Sequence, residues 1–237
     1  MNTIKIAIPK GESFSKIIDL FDIAGIIQRV DHFDGILYFK DSQIRGNIVN
    51  NASIPMMVKD GLFDVGFSDY DLISNQSSDV IELTDTQLNP KTIFVARNDR
   101  PLYYDNNPKI VKTISQYNNI AHRYLTSNNY TFELIKSYGS SDIFSVNDVD
   151  MIIDSPPLNS SFEAHGFKVI DSIMQSSLRI ISNHSVLNNI RKNNIIDSFV
   201  NNIFSAVKKY IPNTKNTIDE KDFGKSTLNE DIKLQLL

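Results

Sequence analysis

The chain has 237 residues, 41% of them hydrophobic and 22% charged, with a net charge of −4; this is the balance of an ordinary soluble globular protein. A pI near 5.6 argues against nonspecific nucleic-acid binding, which needs a surplus of Lys and Arg. The lack of cysteine excludes disulfides and thiolate chemistry, and no apolar run approaches the roughly 20 residues a membrane-spanning helix needs.

The opening MNTIKIAIPKGE alternates like a short strand. It lacks a basic segment, an apolar run and a small-residue cleavage site, so it does not read as a signal peptide and the cytoplasm is the expected compartment. After the buried strand Ile4–Ile8, a helix is expected from about Ser13, with Phe14, Ile17, Ile18, Phe21 and Ala24 on one face and Gly25 as its stop. Strands follow around Gly35–Phe39 and Ile44–Val49. ASIPMMVKDG reads as a short helix with Ser53 as N-cap, Pro55 in its first turn and Gly61 as terminator. FDVGFSDYDL is a strand breaking into a polar turn and another helix start.

Strands are then expected at Ile93–Ala96, Lys109–Ile114, Phe132–Ile135, Val149–Ile153, Phe167–Ile170 and Leu178–Ser182. Helices fall at about Asn118–Asn128, between 137 and 148, and from Val186 to Tyr210. From Pro212 the chain is polar and weakly periodic. The length exceeds what one core needs and suits two lobes of roughly 100 residues each. The expected division is 1–90 plus 180–211 for lobe one, 91–179 for lobe two and 212–237 as a polar tail. Two α/β lobes joined by two crossings, an architecture like that of periplasmic binding proteins, put a cleft at the hinge, a common site for small ligands.

Four segments narrow the choice: IAIPKGESF, ASIPMMVKDGLFDVGFSDYDLI, NIAHRYLTSNNYTFELIKSYGSSD and VDMIIDSPPLNSSFEAHGFKVIDSIMQSSLRIISN. In order and spacing they resemble the catalytic chain of ATP phosphoribosyltransferase, the first enzyme of histidine biosynthesis, over about residues 1–210. With only a polar stretch after the last helix, the chain resembles the short form of that family. The resemblance implies a magnesium-dependent glycosyl transfer in which N1 of the ATP adenine displaces pyrophosphate from C1 of phosphoribosyl pyrophosphate, with Mg²⁺ carried by the pyrophosphate. It also implies an oligomer working with a regulatory subunit similar to histidyl-tRNA synthetase.

The same resemblance assigns site residues. Asp154 and Asp142 would orient the ribose, Ser160 and Ser161 would hold its 5′-phosphate, and Lys10 with Gly11 would meet the pyrophosphate. Arg123 would be a further phosphate contact. The family's Thr-Gly-x-Thr phosphate loop reads Leu158-Asn159-Ser160-Ser161 here. Asn159 thus stands where glycine would free the backbone N–H groups to wrap a phosphate, and Pro156 and Pro157 remove two donors upstream. Glu12 replaces the arginine of the family's Lys-Gly-Arg, Asn50 replaces a second arginine, Ser53 replaces an aspartate, and Asp142 replaces a glutamate. These departures keep two other readings open: a non-catalytic paralogue binding a nucleotide or a partner subunit, and a phosphoribosyltransferase with another acceptor. Asp64 and Asp71 read as structural turn residues, and the four histidines have no metal-ligand spacing.

Overall fold

Ile4–Pro9 (β1) buries every residue except Lys5, because it lies inside a sheet covered on both faces. The computed structural model describes residues 3–104, 107–137, 145–155 and 162–215. After β1 come α1 (Glu12–Ile23), β2 (Ile27–Asp31), β3 (Ile36–Phe39), β4 (Ile44–Val49), a 3-10 turn at Asn51–Ser53, α2 (Ile54–Lys59), β5 (Val65–Asp69), α3 (Tyr70–Gln76) and β6 (Ile81–Asp85). The chain then builds a second sheet from β7 (Lys91–Arg97), β10 (Val111–Ser115), β11 (Phe132–Lys136), β12 (Met151–Asp154) and β13 (Lys168–Ser176), with α4 (Asn118–Ser127) between β10 and β11. The short strands β8 (Tyr103–Tyr104) and β9 (Asn107–Pro108) pair with each other. β14 (Leu178–Ser182), α5 (His184–Leu187) and α6 (Ile190–Lys215) return to the first sheet.

The first sheet has the order β2-β3-β4-β1-β5-β14-β6 and the second β11-β10-β12-β7-β13. This is a mixed α/β architecture of two lobes, each with its own apolar core. In the first, Phe21, Phe39, Phe67 and Phe199 meet with ring centroids 5.2 to 6.3 Å apart, which anchors α1 and α6 to the sheet. On its other face α2 lies so close to β5 that a Cβ at Gly66 would stand 2.7 Å from both Ile54 and Val58. In the second lobe Ile93, Val95, Met151 and Ile153 pack under Ile120, Ala121 and Leu125 of α4.

The strands β2 and β6 were not expected from the sequence. Both are sheet edges, and as edge strands they carry partly exposed residues with no clean alternation. β13 runs to Ser176, beyond the expected Ile170, as an edge strand with register shifts after Val169 and Ser172. The single expected helix at 186–210 is two: Asn189 accepts the N–H of Lys192 at 3.2 Å and so caps a separate start for α6. α6 continues through Pro212 to Lys215. Ser53 makes no capping hydrogen bond; Asn50 does, accepting the N–H of Ala52 at 3.0 Å. The helix expected between 137 and 148 lies mostly outside the described residues, and Val146–Asp148 form a turn.

Register decides where the lobes face each other. β1 runs parallel to β4 and β5, and β10 parallel to β11 and β12. β14 runs antiparallel to β5 with Leu178 opposite Asp69, and β7 antiparallel to β12 with Phe94 opposite Asp154. The crossings, residues 86–90 and Ser177, therefore adjoin the C-terminal ends of the parallel strands in both sheets. They are tied together: Thr86 donates through N–H (3.0 Å) and Oγ1 (2.7 Å) to the Leu178 carbonyl, and Leu178 N–H donates to the Leu88 carbonyl at 2.8 Å. The carboxyl ends of parallel strands are where open α/β sheets hold ligands.

Candidate functional site

Four segments converge on these strand ends: the turn after β1, the end of β5 with the start of α3, the end of β10, and the end of β12. Asp154 closes β12 and is 2% exposed. Its Oδ1 accepts from Gln116 Nε2 at 2.5 Å and from Ser155 N–H at 2.7 Å. Ser115, closing β10, donates to the Ile153 carbonyl at 2.6 Å and accepts the N–H of Tyr117 at 2.9 Å. The strand ends thus hold Asp154 as a fixed, acceptor-only group at the cleft floor, which suits hydroxyl donors of a sugar.

Lys10 follows β1 and is exposed, with no carboxylate partner among the described residues. Gly11 adopts φ 88° and ψ −146° as the N-cap of α1, with nothing within 4 Å of where a Cβ would stand. That backbone geometry is open to glycine and strained for other residues. It leaves the N-terminus of a 12-residue helix uncapped by any side chain, in a position that favours anions. Glu12 pairs with Lys16 at 3.1 Å along α1, so its charge is met locally.

Asp71 forms the centre between the lobes. Fully buried, it accepts from Ser176 Oγ at 2.6 Å, returns its own N–H to that oxygen at 2.9 Å, and holds Lys91 Nζ 3.0 Å from its second oxygen. Lys91 also donates to Asp69 at 3.0 Å. Burial opposes the charge on Lys91, but the fields of Asp71 and Asp69 prevail and raise its pKa above the ordinary lysine value. Tyr117 lies on the same cluster. Burial, then the charges of Asp71 and Asp154 and a hydrogen bond to Asp71, push its phenol far up, so it stays protonated.

Of the sequence-derived site residues, Asp154 closes β12 in the second sheet, and Lys10 and Gly11 form the turn after β1 in the first. Asp142, Asn159, Ser160 and Ser161 lie outside the described residues. Arg123 is on α4 and reaches across to α3, donating to the Ser74 carbonyl at 3.2 Å and hydroxyl at 3.3 Å and to the Ser77 hydroxyl at 3.4 Å. Sequence reasoning missed Lys91, Tyr117, Gln116, Asp69 and Ser176, and read Asp71 as structural. The sequence gives one hint at most: FSDYD places one carboxylate at the end of a fully buried strand and a second two residues on, in the first turn of α3. Lys91 and Ser176 are far from it along the chain, and only the two crossings bring them together.

The family described as HisG, ATP phosphoribosyltransferase, matches residues 50–205. An ATP phosphoribosyltransferase of Campylobacter curvus is 29% identical over 215 residues, covering 90% of this chain and 100% of that one. One of Thermodesulfovibrio yellowstonii is 26% identical, and this chain spans 66% of its length. Among solved structures, the ATP phosphoribosyl transferase (HisG:HisZ) complex from Thermotoga maritima superposes with a TM-score of 0.74 at 19% identity, over 87% of this chain and 100% of that chain. A histidine kinase sensor domain with similarity to periplasmic binding proteins superposes at 0.52 with 10% identity, over 94% and 96% of the two chains, a likeness of fold alone.

Proposed function

The chain belongs to the ATP phosphoribosyltransferase family, and from that premise we propose that its cleft transfers the phosphoribosyl group of phosphoribosyl pyrophosphate to N1 of ATP. The C1–O bond breaks with its electrons leaving on pyrophosphate, and the C1–N1 bond forms on the opposite face. Such a displacement asks the protein mainly to hold two polyanions in line and to stabilise the departing charge. Magnesium enters as part of the pyrophosphate substrate, and among the described residues no three His, Cys, Asp or Glu side chains are grouped as a cage would need.

The observation that carries this reading is the buried, rigidly held Asp154 at the end of β12, in a fold whose facing lobe offers the Lys10-Gly11 turn at the uncapped start of α1. Asp154 accepts the ribose hydroxyls, and Lys10 with the α1 N-terminus meets the pyrophosphate. Asp142 is assigned to the ribose, and Asn159, Ser160 and Ser161 to its 5′-phosphate, on family resemblance. Arg123, whose guanidinium is engaged by α3, is assigned to holding the lobes together. A regulatory subunit similar to histidyl-tRNA synthetase is the partner we expect, since the Thermotoga maritima relative is solved as a HisG:HisZ complex. The cytoplasm is the compartment we assign.

The test is to incubate the chain with ATP, phosphoribosyl pyrophosphate and Mg²⁺, alone and with such a subunit, and to follow pyrophosphate and N1-phosphoribosyl-ATP by chromatography. Equal amounts of both products are expected. Asp154→Asn should lower kcat/KM by about 10- to 100-fold, the worth of a hydrogen bond to a charged group. Binding of phosphoribosyl pyrophosphate without product would refute ATP as the acceptor, and no binding at millimolar concentration would refute the transfer reading.

A further inference from the structure

Register sets Gln116 beside Asp154. β10 runs parallel to β12 with Ser115 opposite Ile153, so the residues one step further, Gln116 and Asp154, are neighbours. Ser115 pins this step of the chain: its hydroxyl donates to the Ile153 carbonyl at 2.6 Å and accepts the N–H of Tyr117 at 2.9 Å. Ser115 and Tyr117 are buried while Gln116 between them is exposed, the alternation of a strand end with one open side. Asp154 is almost wholly enclosed. Of the two hydrogen-bonded neighbours, Gln116 is therefore the one open to a ligand.

The chemistry of the pair fixes the direction of the amide. A carboxylate only accepts, so Gln116 Nε2 points at Asp154 Oδ1, 2.5 Å away, and Gln116 Oε1 is turned from it. Nε2 keeps a second proton and Oε1 its lone pairs, and neither has another partner among the described residues. One side chain thus offers a donor and an acceptor directly beside an acceptor-only group. A cation would be served by the carboxylate alone, and an anion would be repelled by it. Two neighbouring hydroxyls use the whole arrangement, since each can give a proton and take one.

We propose that Gln116 reads the vicinal diol of the ribose together with Asp154: one hydroxyl donates to the carboxylate and its neighbour donates to Gln116 Oε1. This rests on the transfer reading for the presence of a ribose at Asp154, and it adds the residue that discriminates against a sugar lacking one of the two hydroxyls. Gln116 is at the same time a positioning residue. Its amide and the Ser155 N–H, at 2.7 Å, meet the same oxygen of Asp154 and so fix the rotation of the carboxylate.

Titration calorimetry of the full chain with ribose 5-phosphate, with 2-deoxyribose 5-phosphate and, in the presence of Mg²⁺, with phosphoribosyl pyrophosphate tests this. The wild type is expected to bind ribose 5-phosphate about tenfold more tightly than the deoxy sugar, the worth of one hydrogen bond. Gln116→Ala should bring the two sugars within about threefold of each other, with unchanged circular dichroism. Gln116→Glu keeps the shape but sets two carboxylates side by side, which favours a single shared proton between them. Relative to the wild type, its binding of ribose 5-phosphate should strengthen as the pH is lowered, a response that a merely structural role would not produce. A flat response overturns the proposal. So does equal binding of the two sugars by the wild type, or a preference that survives Gln116→Ala. No binding of phosphoribosyl pyrophosphate by the wild type removes the transfer reading and this proposal with it. Binding weakened by Asp154→Asn but not by Gln116→Ala removes this proposal alone.

Discussion

Asp71 shows how much one carboxylate can join. Its partners Lys91, Ser176 and Tyr117 come from three separate segments of the second lobe, so the charge that looks like a local turn residue in sequence is a tie between lobes. Lys91→Met would leave Asp69 and Asp71, both nearly inaccessible, without their cation. We expect a loss of about 3 kcal/mol in urea unfolding, the range for breaking a buried pair, and partial recovery when Asp71→Asn is added. A loss under about 0.5 kcal/mol, the worth of a surface pair, would show the cluster to be well solvated. The pH dependence has a definite sign. The folded pKa of Lys91 lies above its unfolded value, so its contribution is complete below about pH 10.4 and disappears as pH rises through the raised value. The raised phenol of Tyr117 acts in the same direction. Wild-type stability should therefore fall at alkaline pH more steeply than that of Lys91→Met, with little slope from this cluster near neutrality.

At the scale of elements, α4 starts without a cap of its own: Tyr117 at its N-cap makes no side-chain hydrogen bond. The acceptor comes from α3 in the other lobe, where Asn75 Oδ1 receives the N–H groups of Asn119 at 3.0 Å and Ile120 at 3.3 Å. Arg123 completes the clasp at the C-terminal end of α3. The sequence of α4 shows its amphipathic face, and its expected span was nearly right, but a cap from 44 residues away along the chain leaves no local signature. Asn75→Ala should cost about 1 kcal/mol, read as roughly fivefold faster hydrogen exchange at the amides of Asn119 and Ile120. Unchanged exchange there would mean that water replaces the cap at no cost. Arg123→Ala should loosen the same contact while leaving the KM for phosphoribosyl pyrophosphate within about threefold; a larger rise would return Arg123 to substrate binding. The edge strands β2 and β6 escaped the sequence reading for a related reason, since an edge strand owes its place to one neighbour more than to its own alternation.

For the whole molecule, the cores of the two lobes share no buried side chain among the described residues, and Lys91–Asp69, Asn119–Asn75, Arg123–Ser74 and Ser176–Asp71, which join the lobes near the cleft, are polar contacts. Phe199→Ala should cost about 3–5 kcal/mol, because the ring is packed against Phe21, Phe39 and Phe67 at once. Hydrogen exchange should show the loss in β1 and β5, with the amides of β10 and β12 keeping most of their protection. Equal loss in both sheets would show that the polar hinge couples the lobes into one cooperative unit. The two crossings are bonded to each other through Thr86, Leu88 and Leu178, so they form one connection between two separately packed cores.

The sequence by itself determined the periodic elements, the α/β class and the family, because buried strands, amphipathic helices and ordered motif segments are written in near neighbours along the chain. It also marked Asp154, Lys10 and Gly11, which sit where a strand ends and the polarity changes abruptly. Only the tertiary structure decided what Asp71, Lys91, Ser176, Tyr117, Asn75 and Arg123 do. Their partners lie about 20 to 105 residues away, and a charge or an amide in one segment carries no record of which distant segment the crossings will bring against it.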